Sequence, residues 1–196
     1  MHVFFAVAVA YLVGSVPFAF LLSRRRGIDL RHVGSGNIGA TNVLRSSGVP
    51  TAVMAMCLDA LKGTIAVVVA ERVAMAPGAI VAAGVASTLG HIYPVWLRFK
   101  GGKGVATAAG VFAILAPTAL AAAGMVFVIA VWVTRFISVG SMAAAVTLAV
   151  MTIMGDRPTA VAIGAVVCAL VILQRHRANL ARLAAGTERR IGQRLF

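Results

Sequence analysis

The chain has 196 residues, 61% of them hydrophobic and only 12% charged, and it carries a net charge of +13 at a mean hydropathy of +0.97. A water-soluble domain of this length needs far more polar surface, so the composition excludes one and predicts a single membrane-embedded domain over residues 1–196. The positive charge would suggest nucleic acid in a soluble protein. Here membrane orientation explains it first, and anionic head groups or phosphorylated substrates second.

Met1 to Ser23 reads as the first span. Its apolar run, Val3 to Leu22, has no basic segment ahead of it, is too long for a signal-peptide core and ends in Arg24-Arg25-Arg26. It is therefore expected to be retained, with a kink at Pro17. A basic polar loop follows to Gly48, and within it lies Gly34 to Asn42, GSGNIGATN, with Arg45 just beyond. Such a stretch cannot sit in hydrocarbon, because its polar groups would lack partners. Glycines at Gly34, Gly36 and Gly39 let backbone N–H groups converge on an oxyanion. Ser35, Asn37, Thr41 and Asn42 add donors, and Arg45 adds a fork shaped for phosphate. The Gly34-x-Gly36-x-x-Gly39 spacing also matches a dinucleotide fingerprint, but no βαβ unit surrounds it. A flexible polar connector is the plain alternative. Ile38 to Ser47 is expected to form a short helix closed by Gly48.

Pro50 suits the first turn of a second span, to about Val73, which contains Asp59 and Lys62 on one helical face. A structural ion pair and a direct role in a site are equally open readings. Pro77 opens a third span ending near Trp96 and Leu97. Arg98-Phe99-Lys100-Gly101-Gly102-Lys103-Gly104 is then a second glycine-rich basic turn, where Lys103 among Gly101, Gly102 and Gly104 has the charge and access to hold a phosphate. It lacks the spacing of a nucleotide-binding loop. Val105 to Thr134 is longer than one crossing needs and short for two with a break near Pro117, and the placement of the basic residues decides for two. Ser138 to Met154, with Ser141, is the sixth span. Gly155 to Pro158 is an outer turn, and Thr159 to Leu173 is the seventh span. In the tail, Gln174 to Phe196, the residues His176, Asn179 and Arg182 would share a face of a continuing helix.

With seven crossings, fifteen of the eighteen lysines and arginines fall on one side, which predicts an outer N-terminus and a cytoplasmic C-terminus. The expected fold is thus an all-α integral membrane protein, a bundle of about seven transmembrane helices with short amphipathic or loop elements on the cytoplasmic face. Cys57 and Cys168 lie in apolar runs without metal-ligand spacing and read as inert thiols.

Only five residues are acidic, and Asp29 and Glu188 are the only carboxylates expected on the cytoplasmic face. That excludes a two-metal site, and no His is followed five residues later by Asp as in one common acyltransferase signature. What remains is rich in donors and cations and poor in bases. It fits transfer from a donor whose leaving group is already good, such as a phosphate-activated one.

GSGNIGATN at Gly34–Asn42, HIYPVWLRFKGGKG at His91–Gly104, HRANLARLAAGTE at His176–Glu188 and LDALKG at Leu58–Gly63 resemble the motifs of the bacterial membrane glycerol-3-phosphate acyltransferases that use acyl phosphate. The resemblance covers essentially the whole chain. It implies acyl transfer from acyl phosphate to the 1-hydroxyl of glycerol 3-phosphate in the bacterial inner membrane, giving lysophosphatidic acid and phosphate. No cofactor, metal, nucleotide or nucleic acid is implied, and a monomer is compatible with it. Carried over by motif position, Ser35, Lys103, Ser141 and His176 are the expected catalytic residues. Gly34, Gly36, Asn37, Gly39, Thr41, Asn42, Arg45, Gly101, Gly102, Gly104, Asn179 and Glu188 are the expected substrate- or phosphate-binding ones. His91 is either a packed helix-end histidine or a site residue, and Arg175, Arg177, Arg182 and Arg194 read as lipid-facing or topology charges. Composition alone would also allow a small anion channel or a lipid-binding scaffold.

Overall fold

A computed structural model describes residues 2–73 and 75–193. The start of the first span at Met1, the loop residue Ala74 and the tail charge Arg194 lie outside them. All regular structure among the described residues is helical. The chain divides into two compact units, one running to Ile114 and the other from Leu115 to Gln193.

The first unit holds α1 (His2–Gly14), α2 (Phe18–Arg24), α3 (Ala40–Ser47), α4 (Val49–Arg72), α5 (Pro77–Ile92), a 3-10 turn at Val95–Leu97, and α6, which runs from Val105 to Leu115. Pro17 does more than kink the first span: the chain leaves the helix from Ser15 to Pro17 and restarts at Phe18. The proline ring cannot donate to the preceding turn. Pro50 and Pro77 sit in the first turns of α4 and α5, where a missing N–H costs nothing. Without a hydrophobic drive between helices in lipid, close packing needs small residues. A side chain at Gly14 would strike the Ser87 backbone, and one at Gly90 the Tyr11 carbonyl, so α1 and α5 touch backbone to backbone. Gly63 against Thr107 and Gly110 against Ala60 do the same for α4 and α6, with Thr64 Oγ1 donating to the Gly110 carbonyl at 2.9 Å. A buried cluster of Leu30, Ile38, Val43, Ala52 and Ala55 anchors the polar loop and α3. Val53, Met54, Met56, Leu61, Ile65 and Val69 leave α4 with an apolar exposed side.

The second unit holds α7 (Pro117–Thr134), α8 (Ile137–Met154), α9 (Thr159–Arg175) and α10 (Arg177–Ala184). Gly140 lets α8 pack tightly on Phe127 and Val131 of α7. The tail does not continue α9: α10 is bent from it by 50° at His176. It ends in a Schellman motif, with Gly186 at φ +68°, Thr187 N–H bonded to the Arg182 carbonyl and Gly186 N–H to that of Leu183.

Among the described residues, five helical segments are long and apolar enough to cross a membrane, or up to six if the bent α9–α10 pair is one span. The remaining apolar helix, α6, has 11 residues, about 16 Å at 1.5 Å per residue, against a hydrocarbon core of roughly 30 Å.

Candidate functional site

In the first unit the Gly34–Asn42 stretch is a loop running into α3. Asn42, 2% exposed, holds it together. Its amide donates to the carbonyls of Leu30 at 3.2 Å and Val33 at 2.9 Å, and its Oδ1 accepts the Ser35 N–H at 3.1 Å. Both amide hydrogens are thereby committed to backbone, and Asn42 shapes the loop. Gly34 is at φ +66°, and a side chain there would collide with the same amide oxygen. Gly34, Ser35 and Gly36 are exposed, while Asn37, Gly39, Thr41 and Arg45 are half-buried. Gly39 is the N-cap of α3, whose first N–H groups have no partner within the helix. Thr41 and Arg45, four apart on α3, share one face.

The second loop is organised differently. Arg98 and Phe99 adopt left-handed conformations, φ 51° and 61°, and turn the chain back along the end of α5. There Gly101 N–H donates to the Ile92 carbonyl at 3.0 Å and Gly102 N–H to the His91 carbonyl at 3.1 Å. A side chain on Gly101 would run into the His91 carbonyl, and one on Gly102 into the His91 ring. These two glycines therefore serve close approach, and their N–H groups cap α5. Lys103 is half-buried between them and the start of α6, and Gly104 makes the turn at φ +86°.

Beneath both loops lies a buried charged cluster. Lys62 Nζ is 2.8 Å from Asp59 Oδ1, 3.0 Å from His91 Nδ1 and 3.0 Å from the Val16 carbonyl; Asp59 and Lys62 are each 2% exposed. The sequence placed Asp59 and Lys62 on one face but gave no sign that His91 joins them. His91 Nδ1 also lies 3.4 Å from Asp59 Oδ1, so one ring nitrogen faces both members of the ion pair. Asp29 is also engaged: Arg31 lies 2.6 Å and Arg24 3.2 Å from its carboxylate. The hydrogen bond from Arg31 holds that carboxyl well below the usual carboxylate range. It is a paired anion and not a base. Between α1 and α5, an apolar groove of about 670 Å³ lined by residues such as Phe4, Val7, Leu12 and Leu89 suits hydrocarbon rather than phosphate.

In the second unit, His176 is 2% exposed at the α9–α10 bend, and its Nδ1 lies 2.8 Å from the Ile172 carbonyl. A carbonyl only accepts, so Nδ1 carries the proton and the lone pair of the neutral ring is on Nε2. His176 is the N-cap of α10, on which Asn179 and Arg182 stand. Both of those reach Glu188: Asn179 Nδ2 at 2.6 Å and Arg182 Nε at 2.7 Å. Ser138 Oγ, at the start of α8, donates to the same carboxylate at 2.9 Å. Burial pushes the Glu188 pKa up, but the hydrogen bonds from Asn179, Arg182 and Ser138 outweigh it and leave the group below its usual range. Glu188 is the acceptor of a clasp. Arg182, expected as a topology charge, is part of it. Ser138 was missed, its only signal in the sequence being a second serine one turn before Ser141. The hydroxyl of Ser141 donates to the Ile137 carbonyl at 2.9 Å, which leaves it only acceptor capacity. Among the described residues no three of His, Cys, Asp and Glu gather as ligands for a metal ion.

Comparison with known proteins gives one family throughout. The profile of the family described as Glycerol-3-phosphate acyltransferase matches residues 4–186. The Glycerol-3-phosphate acyltransferase of Myxococcus xanthus is 47% identical over 186 residues, covering 94% of this chain and 97% of that protein. Glycerol-3-phosphate acyltransferase 1 of Deinococcus radiodurans is 40% identical, covering 97% and 96%. The crystal structure of PlsY, an integral membrane glycerol 3-phosphate acyltransferase in its glycerol 3-phosphate form, superposes with a TM-score of 0.94 at 38% identity over 98% of this chain and 96% of that one. Its lysophosphatidic acid form gives 0.91 at 37% identity over the same shares.

Proposed function

Because the chain belongs to the glycerol-3-phosphate acyltransferase family, we propose that it transfers a fatty acyl group from acyl phosphate to the 1-hydroxyl of sn-glycerol 3-phosphate. The products are 1-acylglycerol 3-phosphate, which is lysophosphatidic acid, and inorganic phosphate. The observation that carries this reading is near full-length similarity to an integral membrane enzyme solved with the acceptor and with the product. Acyl phosphate as the donor is supported by the shortage of bases. Asp29 is paired with arginines and Glu188 is occupied by three donors, so the leaving group must be good without help.

In the first unit, the exposed Gly34–Gly36 backbone, Ser35, the α3 N-terminus with Gly39, Thr41 and Arg45, and separately Lys103, hold phosphate oxygens and stabilise charge as it develops. In the second unit, Nε2 of neutral His176 accepts the hydrogen bond of the attacking hydroxyl and orients it. The hydroxyl oxygen bonds to the acyl carbon, the bond from that carbon to the phosphate oxygen breaks, and the departing phosphate takes the proton. A phosphate with a second pKa of about 6 is competent for this near neutral pH. Asn179, fixed by Glu188, keeps α10 in register with the histidine.

The deciding experiment is phosphate release from acyl phosphate by the purified protein, which should depend on glycerol 3-phosphate and persist in EDTA. Equal rates with acyl-CoA would overturn the donor assignment, and anion flux without turnover would favour a channel.

We further propose seven crossings of a bacterial inner membrane, with α6 as a short span whose non-helical flanks, Gly101, Gly102, Gly104 and Ala116, are buried in protein as lipid requires. The N-terminus is outside and the substrate-binding loops and tail are cytoplasmic. A cysteine at Asp156 should then be labelled from outside, and one at Gly36 or Thr187 only from inside. Labelling of Thr187→Cys from the outer face would refute the parity of the spans.

A further inference from the structure

The geometry points to Asp59, Lys62 and His91 as a positioning cluster that seats the Lys103 loop for phosphate binding. This rests on the acyltransferase reading above and adds to it. The Lys62 ammonium meets three groups in α4, α5 and the break between α1 and α2: the Asp59 carboxylate as an ion pair at 2.8 Å, and His91 Nδ1 and the Val16 carbonyl by hydrogen bonds. Two of its N–H groups are thus directed, at α5 and at the α1–α2 break, while the Asp59 carboxylate holds it by charge. On one side it fixes the His91 imidazole. That ring lies flush on Gly102, with no room for a Cβ between them, while the His91 carbonyl accepts the Gly102 N–H. The next residue is Lys103. On the other side the ammonium grips Val16, one residue before Pro17, where the chain turns into α2 and on toward the first glycine loop. Ile38 of that loop lines the same small cleft as Asp59, Lys62, His91 and Pro94. One buried cation thus ties together the segments that carry both loops of this unit.

A buried ion pair contributes little to stability over a well-packed apolar replacement, so stability alone does not account for placing one here. Its distinguishing property is that it fixes direction, which an apolar contact does not. If the cluster serves Lys103, disturbing it should resemble a milder loss of Lys103. The test compares wild type, Lys103→Met, the neutralised pair Asp59→Asn/Lys62→Met and the combination of all three changes, measuring the KM for acyl phosphate, the KM for glycerol 3-phosphate, kcat and Tm. Lys103→Met identifies which phosphate-bearing substrate that lysine holds. The neutralised pair should fold and raise the KM of that same substrate about tenfold or more, with a smaller change in kcat and in the other KM. On the Lys103→Met background it should add almost nothing. Should the pair not fold, His91→Asn carries the same expectation, since it keeps an acceptor for Lys62 while removing the ring from Gly102. A folded variant with both KM values unchanged, or a defect that adds fully to that of Lys103→Met, overturns the proposal. Failure of the acyltransferase reading itself would show instead as a wild-type protein without turnover.

Discussion

Two of the charged clusters in this protein are built on opposite principles. In the first unit Asp59, Lys62 and His91 are shut away from water; Asp59 stands three residues from Lys62, and its other partners 29 and 46 residues away. In the second, Glu188 collects Arg182 and Asn179 from six and nine residues away and Ser138 from 50, and the Arg182 side chain is 39% exposed. The buried cluster gives up the hydration of two full charges and regains it only if every partner stays in place. The clasp is partly wetted, so a lost partner is replaced by water. Sensitivity to a single change should therefore be high in the first and graded in the second.

The comparison is broken most forcefully at Lys62. Lys62→Met alone leaves the Asp59 carboxylate buried without its cation and should cost about 3–5 kcal/mol, whereas removing both charges should cost far less, because breaking a buried pair is worse than replacing it. Chemical or thermal unfolding in detergent measures this. Equal destabilisation by the single and paired changes would mean that the cluster is wetter than its burial indicates.

Glu188→Ala takes the acceptor from three donors. Its expected cost is smaller, about 1–3 kcal/mol, because the exposed guanidinium regains water. The pH dependence sharpens the point. The Glu188 pKa is depressed in the folded protein, so its contribution is present above the ordinary carboxylate value of 4.5 and is lost as pH falls through the folded value. Wild type should therefore be more stable than Glu188→Gln at pH 7 and at pH 5, with the difference closing in more acid buffer. A difference that disappears by pH 5 would show that the clasp does not hold the carboxylate ionised.

The smallest effect is expected beside the clasp, at His176. Glutamine there keeps an acceptor for the substrate hydroxyl, so His176→Gln should lose only about tenfold in kcat/KM, or ~1.4 kcal/mol. His176→Ala should lose more, mainly through the acceptor KM. Near-complete and equal loss of kcat in both variants, with acceptor KM unchanged, would make the histidine the base.

Much of the frame could be read from the residues. Pro50, Pro77 and Pro117 marked helix starts because a proline N–H is not missed there, and the two glycine-rich basic stretches stood out against apolar surroundings. What could not be read was the direction of each donor. The sequence shows that Asn42, Gly101, Gly102 and Ser141 carry hydrogen-bonding groups, and a phosphate needs such groups. A buried carbonyl needs them as well, and in the structure the carbonyls of Leu30, Val33, Ile92, His91 and Ile137 receive them. The partnership of Ser138 with Glu188 spans 50 residues, and that of His91 with Lys62 joins two different helices. No local spacing encodes either. The bend at His176 was hidden too, since the residues around it favour a continuous helix and nothing resembling a breaker stands between Arg175 and Ala184.

The glycines that let α1 meet α5 and α4 meet α6 set how this protein can vary. At Gly78 and Gly124 an added methyl group meets nothing within 4 Å, whereas at Gly14, Gly63, Gly90 and Gly110 it meets the backbone of the neighbouring helix. In a selection on random variants, the first pair should accept alanine freely and the second four should stay nearly silent. Compensation will be scarce at those four, because no second substitution can shorten a main chain. These four positions should thus stay fixed whatever lipid the protein comes to inhabit, and change should collect on the outer faces of the helices they join.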